Sequence, residues 1–102
     1  MQHRVYLALG SNLGDRRANL AAALAALEPL VRVTRRSSLY ETAPWGFTDQ
    51  PDFLNQVVAA ETGLLPAELL KHLKKIESQV GRQPSFRYGP RAIDLDILFY
   101  DE

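Results

Sequence analysis

Two periodicities along the chain predict its secondary structure. Alternating apolar positions are typical of strands, whereas apolar residues at every third or fourth position are typical of helices. The strand pattern occurs at residues 5–9, 31–42, 53–61 and 93–100. The helical pattern follows Asp15, which suits an N-cap, and ends before Pro29. It recurs from Pro66 to Gly81.

The resulting order is strand, helix, strand, strand, helix, strand. It predicts an α+β fold of the ferredoxin-like βαββαβ type, an antiparallel sheet with two helices on one face. Residues 5–9 are apolar at nearly every position, which favours a central strand covered on both faces. We expect the last strand to lie beside it in the centre of the sheet. Residues 35–38 are Arg-Arg-Ser-Ser, so we expect a bulge or an exposed edge in the second strand.

Length and composition limit the classes of function. The chain has 102 residues, enough for one domain over residues 1–102 with a single core. Lys plus Arg number 12 and Asp plus Glu also number 12, so no overall basic field indicates a nucleic-acid partner. The sequence contains no cysteine, no membrane-length apolar run and no secretory signal pattern. We therefore expect a cytoplasmic protein without a membrane partner.

The last predicted strand places two carboxylates on one face. Asp94 and Asp96 alternate with apolar residues, and we expect the opposite face to carry Ile93, Leu95, Ile97 and Phe99. Arg91 enters this strand through a Gly-Pro turn and brings a cation close to the two anions. Mg²⁺ usually binds one or two carboxylates and takes its other ligands from substrate oxygens and water. We therefore predict a magnesium and polyphosphate site, and the alternative is a solvated polar face on an edge strand.

Aromatic and amide side chains indicate a place for a flat ligand. Trp45 lies in a loop rich in Pro, Gly and Asp, where it can either cap the core or form the wall of a binding site. Phe53 and Asn55 share one face of the third strand, so Phe53 can stack on a heterocycle while Asn55 hydrogen-bonds to its edge. The alternative for this pair is a core Phe beside a structural Asn. Gly10 and Gly14 lack a phosphate-loop pattern, and we interpret both as turn residues.

Three segments spread over the whole chain form an ordered set of motifs. They are Leu9-Gly10-Ser11-Asn12-Leu13-Gly14, Tyr40-Glu41-Thr42-Ala43-Pro44 with Gln50-Pro51-Asp52-Phe53-Leu54-Asn55, and Gly89-Pro90-Arg91-Ala92-Ile93-Asp94-Leu95-Asp96-Ile97. In this order they resemble the hydroxymethyl-dihydropterin pyrophosphokinases of folate biosynthesis, and the last segment is the most specific. The resemblance implies transfer of the β,γ-pyrophosphoryl group of ATP to the hydroxymethyl group of 6-hydroxymethyl-7,8-dihydropterin, with release of AMP.

The resemblance also implies roles for individual residues. Two Mg²⁺ ions bridging the ATP phosphates would be held by Asp94 and Asp96. The pterin would be bound by Thr42, Ala43, Trp45, Phe53 and Asn55. The nucleotide would be bound by Glu77, Arg82 and Arg91. Of these, the two arginines would join the two aspartates as catalytic groups, and Arg82 would act in closing a loop over the phosphates.

The chain also departs from the family. Family members continue well beyond the position of Glu102, and we expect this chain to lack that extension, which contains a second aromatic wall for the pterin and further ATP contacts. Ala43 and Tyr88 stand where the family frequently has Pro and Trp. The alternative function is a catalytically weak or inactive ferredoxin-like module that binds a nucleotide or a partner chain. An RNA-binding sheet is disfavoured because the third strand lacks the basic and aromatic signature that stacks bases.

Overall fold

The computed structural model describes residues 2–81 and 90–101. These residues form five strands and two helices. The strands are β1 (His3–Ser11), β2 (Val31–Arg36), β3 (Tyr40–Thr42), β4 (Phe53–Thr62) and β5 (Asp94–Tyr100). The helices are α1 (Arg16–Leu27) and α2 (Pro66–Gln79).

The sheet has the order β2-β4-β1-β5, and β3 pairs with β4 beyond the end of β2. Each of these pairings is antiparallel. With two helices packed on one face, this is the predicted ferredoxin-like α+β fold, in which β2 and β3 together take the place of one predicted strand. The break between them falls at Ser37, whose hydroxyl accepts a hydrogen bond from the Val57 N–H of β4 at 2.9 Å. The predicted irregularity in this region is therefore confirmed.

The core lies between the sheet and both helices. β1 contributes Val5, Leu7 and Leu9, which are at most 2% exposed. The helices meet them with Leu20, Ala23, Leu24, Leu27, Leu69, Leu73 and Ile76. The other face of β1 is more open, since Tyr6 is 40% exposed. β1 is central, as predicted, because it pairs with β4 on one side and β5 on the other. The expectation that both of its faces are covered is wrong for the residues described.

β5 corrects two further expectations. Its only pairing among the described residues is with β1, so it is the edge strand of the sheet and not a central strand. A register shift follows: Leu7 pairs with Ile97, whereas Tyr6 pairs with Phe99, which leaves Leu98 as an extra residue. Because of this bulge, the side chains of β5 that follow Leu98 project to the opposite faces from those that the sequence pattern predicts. Phe99 is 57% exposed and packs edge-on against Tyr6 on the open face, so its predicted place beside Leu95 on the core face is wrong.

Local signals fix the helix starts. Asp15 caps α1, because its carboxylate accepts a hydrogen bond from the Ala18 N–H at 3.1 Å. Pro66 begins α2, and Glu68 accepts a hydrogen bond from the Leu65 N–H at 2.8 Å. Over residues 2–81 and 90–101, neither helix has the length and apolarity that crossing a membrane requires.

Candidate active site

A cavity of about 290 Å³ opens on the helix-free face of the sheet. It lies where the end of β1 meets the starts of β4 and β5, beneath β3 and the loop that follows it. Its walls are formed by Ala8, Leu9, Gly10, Thr42, Ala43, Trp45, Phe53, Asn55, Arg91, Asp94 and Asp96. Among the described residues, every predicted site residue except Glu77 therefore borders this cavity. Their roles remain predictions.

Two carboxylates occupy the β5 side of the cavity. Asp94 pairs with Gly10 of β1, and Asp96 pairs with Ala8. Both aspartates line the cavity, so they project from the same face of the strand. The residues opposite them are small, and this leaves room above β1 for a ligand. The alternative interpretation was a solvated polar face on an edge strand. β5 is an edge strand, but the face that carries Asp94 and Asp96 borders a cavity.

The β4 side of the cavity pairs an aromatic ring with an amide. Phe53 and Asn55 alternate with the buried Leu54 and Gln56, so both side chains project to the cavity face. The amide nitrogen of Asn55 donates to Thr42 Oγ1 at 2.9 Å, and its distances to the Tyr40 and Phe53 carbonyl oxygens are 3.3 Å. These contacts all use Nδ2, so Oδ1 is the acceptor that Asn55 can offer to a ligand. The pair lies on the open face of the sheet and not in the core.

Trp45 and Gly10 form parts of the cavity that local patterns do not specify. Trp45 is 79% exposed and borders the cavity, so it does not cap the core. Its role as a wall for a ligand remains a prediction. Gly10 belongs to β1 and not to the turn that follows it. A Cβ atom at this position would lie 3.1 Å from Asn55 Oδ1 and 3.4 Å from Phe53 Cδ1. The close approach of these side chains, and not a turn, favours glycine here.

Arg91 is held at the cavity through its backbone. Its N–H donates to the Asn12 side-chain oxygen at 2.8 Å, and its carbonyl oxygen accepts from the Asn12 N–H at 3.0 Å. Arg91 is half-buried and lines the same cavity as the two aspartates. The guanidinium group of Arg91 thus supplies a cation to the cavity that both carboxylates border, and its binding of phosphate remains a prediction.

Comparison with known proteins identifies the family. Residues 6–101 match the family model described as 7,8-dihydro-6-hydroxymethylpterin-pyrophosphokinase. The chain belongs to this pyrophosphokinase family.

Several curated relatives are similar to the chain over nearly all of its length. The 2-amino-4-hydroxy-6-hydroxymethyldihydropteridine pyrophosphokinase of Aquifex aeolicus is 49% identical over 98 residues, which cover 96% of this chain and 61% of that protein. The protein of the same name from Bacillus subtilis is 48% identical over 103 residues, which cover 99% and 62%. The mitochondrial folate synthesis bifunctional protein of Pisum sativum is 57% identical over 97 residues, which cover 94% and 19%. The chain therefore spans about three fifths of the length of these bacterial pyrophosphokinases.

The other two predicted nucleotide-binding residues are Arg82 and Glu77. Arg82 falls outside the described residues. Glu77 is 2% exposed, and its carboxylate accepts a hydrogen bond from the Leu95 N–H at 2.9 Å, with Lys74 Nζ at 3.8 Å. Leu95 is the residue between the two cavity aspartates. Glu77 thus holds the strand that presents both carboxylates, a positioning contact that helix periodicity did not predict, while its contact with a nucleotide remains a prediction.

The donor set of the cavity fits Mg²⁺ better than it fits a closed metal centre. Within residues 2–81 and 90–101, no three His, Cys, Asp or Glu side chains gather into a group that could hold a metal. The cavity itself offers two carboxylates, Asp94 and Asp96. A structural zinc site requires four protein ligands, whereas Mg²⁺ takes most of its ligands from phosphates and water. The residues present therefore suit a metal that arrives with a polyphosphate.

Sequence reasoning missed Ala8 and Gly10 as cavity residues and Asn12 as the residue that holds the Arg91 backbone. Ala8 and Gly10 share the face that carries the cavity, and two small residues at alternating positions of a central strand are a signal of space above it. Asn12 had no such signal, because its partners at positions 50, 51 and 91 are distant in sequence.

Proposed function

We propose that this chain transfers the β,γ-pyrophosphoryl group of ATP to the hydroxymethyl group of 6-hydroxymethyl-7,8-dihydropterin and releases AMP, as a step of folate biosynthesis. The observation that supports this most directly is the shared cavity. Asp94, Asp96 and Arg91 border the same space as Phe53 and Asn55. Membership of the pyrophosphokinase family supports the same reaction.

The pterin is proposed to bind at the β3–β4 end of the cavity. Phe53 stacks on the flat ring, and Trp45 covers it from the loop. The edge of the ring offers both donors and acceptors, which suits Asn55 Oδ1 and the hydroxyl of Thr42. The amide of Asn55 is already oriented by its hydrogen bond to Thr42 Oγ1, so little side-chain entropy is lost when the ligand binds.

The triphosphate is proposed to bind at the β5 end. Asp94 and Asp96 would hold two Mg²⁺ ions, which neutralise the charge of the phosphoryl oxygens during transfer. Arg91 adds a guanidinium fork for the same oxygens, and Arg82 is proposed to act in closing a loop over them. In phosphoryl transfer the protein has little covalent work to do, so alignment and charge neutralisation supply most of the rate.

The direct test is to measure AMP release by the purified chain with ATP, Mg²⁺ and hydroxymethyl-dihydropterin. We expect Asp94→Asn and Asp96→Asn each to lower the rate by about a hundredfold or more, in the range found when an electrostatic group is removed from a transition state. Asp15→Asn is the matched control, because it makes the same chemical change at a helix cap, where Asn functions as well as Asp.

Two outcomes would contradict the proposal. One is undiminished AMP release by both aspartate variants. The other is a wild-type chain that binds nucleotide and pterin, by calorimetry, but releases no AMP. The second outcome would instead support the binding-module alternative.

A further inference from the structure

We propose that Asn12 and Gln50 form an amide relay that positions Arg91 and the Trp45 loop (residues 43–52) as one unit. Both are positioning residues, and neither lines the cavity. This inference rests on the proposed function, since it assigns Arg91 to the phosphates and Trp45 to the pterin. It adds that binding at one end of the cavity is transmitted to the other through the relay.

The first half of the relay joins Asn12 to Arg91. Asn12 is 2% exposed. Its side-chain oxygen accepts from the Arg91 N–H at 2.8 Å, and its own N–H donates to the Arg91 carbonyl at 3.0 Å. Two hydrogen bonds between the same two residues fix both the position and the orientation of the Arg91 backbone. The guanidinium side chain therefore extends from a fixed backbone position at the cavity that Asp94 also borders.

The second half joins Asn12 to the Trp45 loop. The Asn12 amide nitrogen donates to Gln50 Oε1 at 2.8 Å and to the Pro51 carbonyl at 2.9 Å. Gln50 Nε2 donates in turn to the Phe47 carbonyl at 2.6 Å, and the Phe47 N–H donates to the Trp45 carbonyl at 2.8 Å. A continuous set of hydrogen bonds therefore runs from Arg91 to the backbone of Trp45.

The partners leave only one orientation for each amide. The Arg91 N–H is a donor, so Asn12 must present its oxygen there, and the Pro51 carbonyl is an acceptor, so it must meet the nitrogen. Similarly, the Phe47 carbonyl fixes the orientation of Gln50. Both hydrogens of the Asn12 side-chain amide are donated in hydrogen bonds. Because Asn12 is buried, leaving one of its polar groups unpaired would lower the free energy of unfolding. Displacement of the loop therefore strains the contact that anchors Arg91, and ordering of the loop stabilises it.

Gln50→Ala interrupts the relay. It removes the hydrogen bonds of Gln50 with Asn12 and with Phe47 but leaves the Asn12–Arg91 and Asn12–Pro51 contacts in place. Asn19→Ala is the matched control. Asn19 lies in α1, and its side-chain amide donates to the Leu13 carbonyl of the β1–α1 turn at 2.8 Å. Its side-chain partners, Leu13 and Ser11, are neither Arg91 nor residues of the Trp45 loop. Thermal unfolding of each variant verifies that it is folded.

The first measurement needs no ligand: hydrogen exchange of the Arg91 amide, followed by NMR. We expect Gln50→Ala to accelerate this exchange about fivefold or more, as for the loss of one supporting hydrogen bond, and Asn19→Ala to leave it unchanged. Equal Arg91 exchange in Gln50→Ala and wild type would overturn the proposal. Because AMP release plays no part in this measurement, the result is independent of whether the proposed reaction occurs.

The second measurement uses Trp45, the only tryptophan of the chain, as a reporter of the loop. We expect Mg-ATP to reduce acrylamide quenching of Trp45 fluorescence in the wild type and in Asn19→Ala. In Gln50→Ala, the nucleotide should still bind but leave the quenching unchanged. A wild-type response retained in Gln50→Ala, or a wild-type Trp45 that does not respond to bound Mg-ATP, would overturn the coupling.

Discussion

Gly10→Ala is the substitution for which the structure makes the sharpest prediction. Gly10 lies on the cavity face of β1, where an added Cβ atom would stand 3.1 Å from Asn55 Oδ1 and 3.4 Å from Phe53 Cδ1. Its φ is not positive, so alanine meets no backbone strain there. The new methyl group therefore acts on the two side chains proposed to hold the pterin, and on little else.

The expected size of the effect follows from these contacts. Asn55 must move by a few tenths of an ångström, yet its amide is held by Thr42 Oγ1 at 2.9 Å. A methyl-sized change in a binding pocket is worth about 1–3 kcal/mol, or about 10- to 200-fold in pterin affinity. Replacing glycine by alanine also restricts the unfolded chain, which stabilises the protein by about 0.4–1 kcal/mol and offsets the local strain. We expect the free energy of unfolding to change by less than about 1 kcal/mol.

Calorimetric titration with the pterin and urea unfolding together test this reasoning. Gly14→Ala is a control for which the opposite result is expected, a loss of stability without a loss of pterin affinity. Gly14 has a φ of +73°, and the one atom near its added Cβ is Asn19 Nδ2 at 3.9 Å. Alanine there should lower the free energy of unfolding by about 1–2 kcal/mol and leave pterin affinity unchanged. If Gly10→Ala bound pterin with wild-type affinity, Phe53 and Asn55 would not form the pterin site.

Two further predictions concern the last strand. Glu77→Ala removes the acceptor of the buried Leu95 N–H, so the free energy of unfolding in urea should fall by about 1.5–3 kcal/mol. Glu77→Gln retains an acceptor and should recover part of this stability. Equal stability of the wild type and both variants would refute the contact. The pKa of the Tyr100 hydroxyl is raised above 10.0 by partial burial and by the carboxylates of Asp101 and Glu68. The folded state thus holds this proton more tightly than the unfolded chain, and the resulting stability is complete below about pH 10 and lost as the pH rises through the folded pKa. In urea unfolding between pH 9 and 11, Tyr100→Phe should lose stability less steeply than the wild type, and parallel profiles would contradict this.

Much of the fold was predictable from the sequence because its signals are local. Alternation along 93–97 placed Asp94 and Asp96 on one face, and the structure agrees because neighbouring side chains of an extended strand always project to opposite sides. Asp15 and Pro66 marked the helix starts, because a cap and a fixed φ act within one turn. The resemblance of three short motifs to the pyrophosphokinases also required nothing beyond the sequence.

Only the tertiary structure decided where these elements meet. It put β5 at the sheet edge, and it inserted the bulge at Leu98 that turned Phe99 to the open face, since pairing and register depend on the partner strand. It also brought Asn12 into contact with Arg91, which is 79 positions away in the sequence. Periodicity describes the environment of a residue along its own element, whereas hydrogen bonds between loops depend on how whole elements pack.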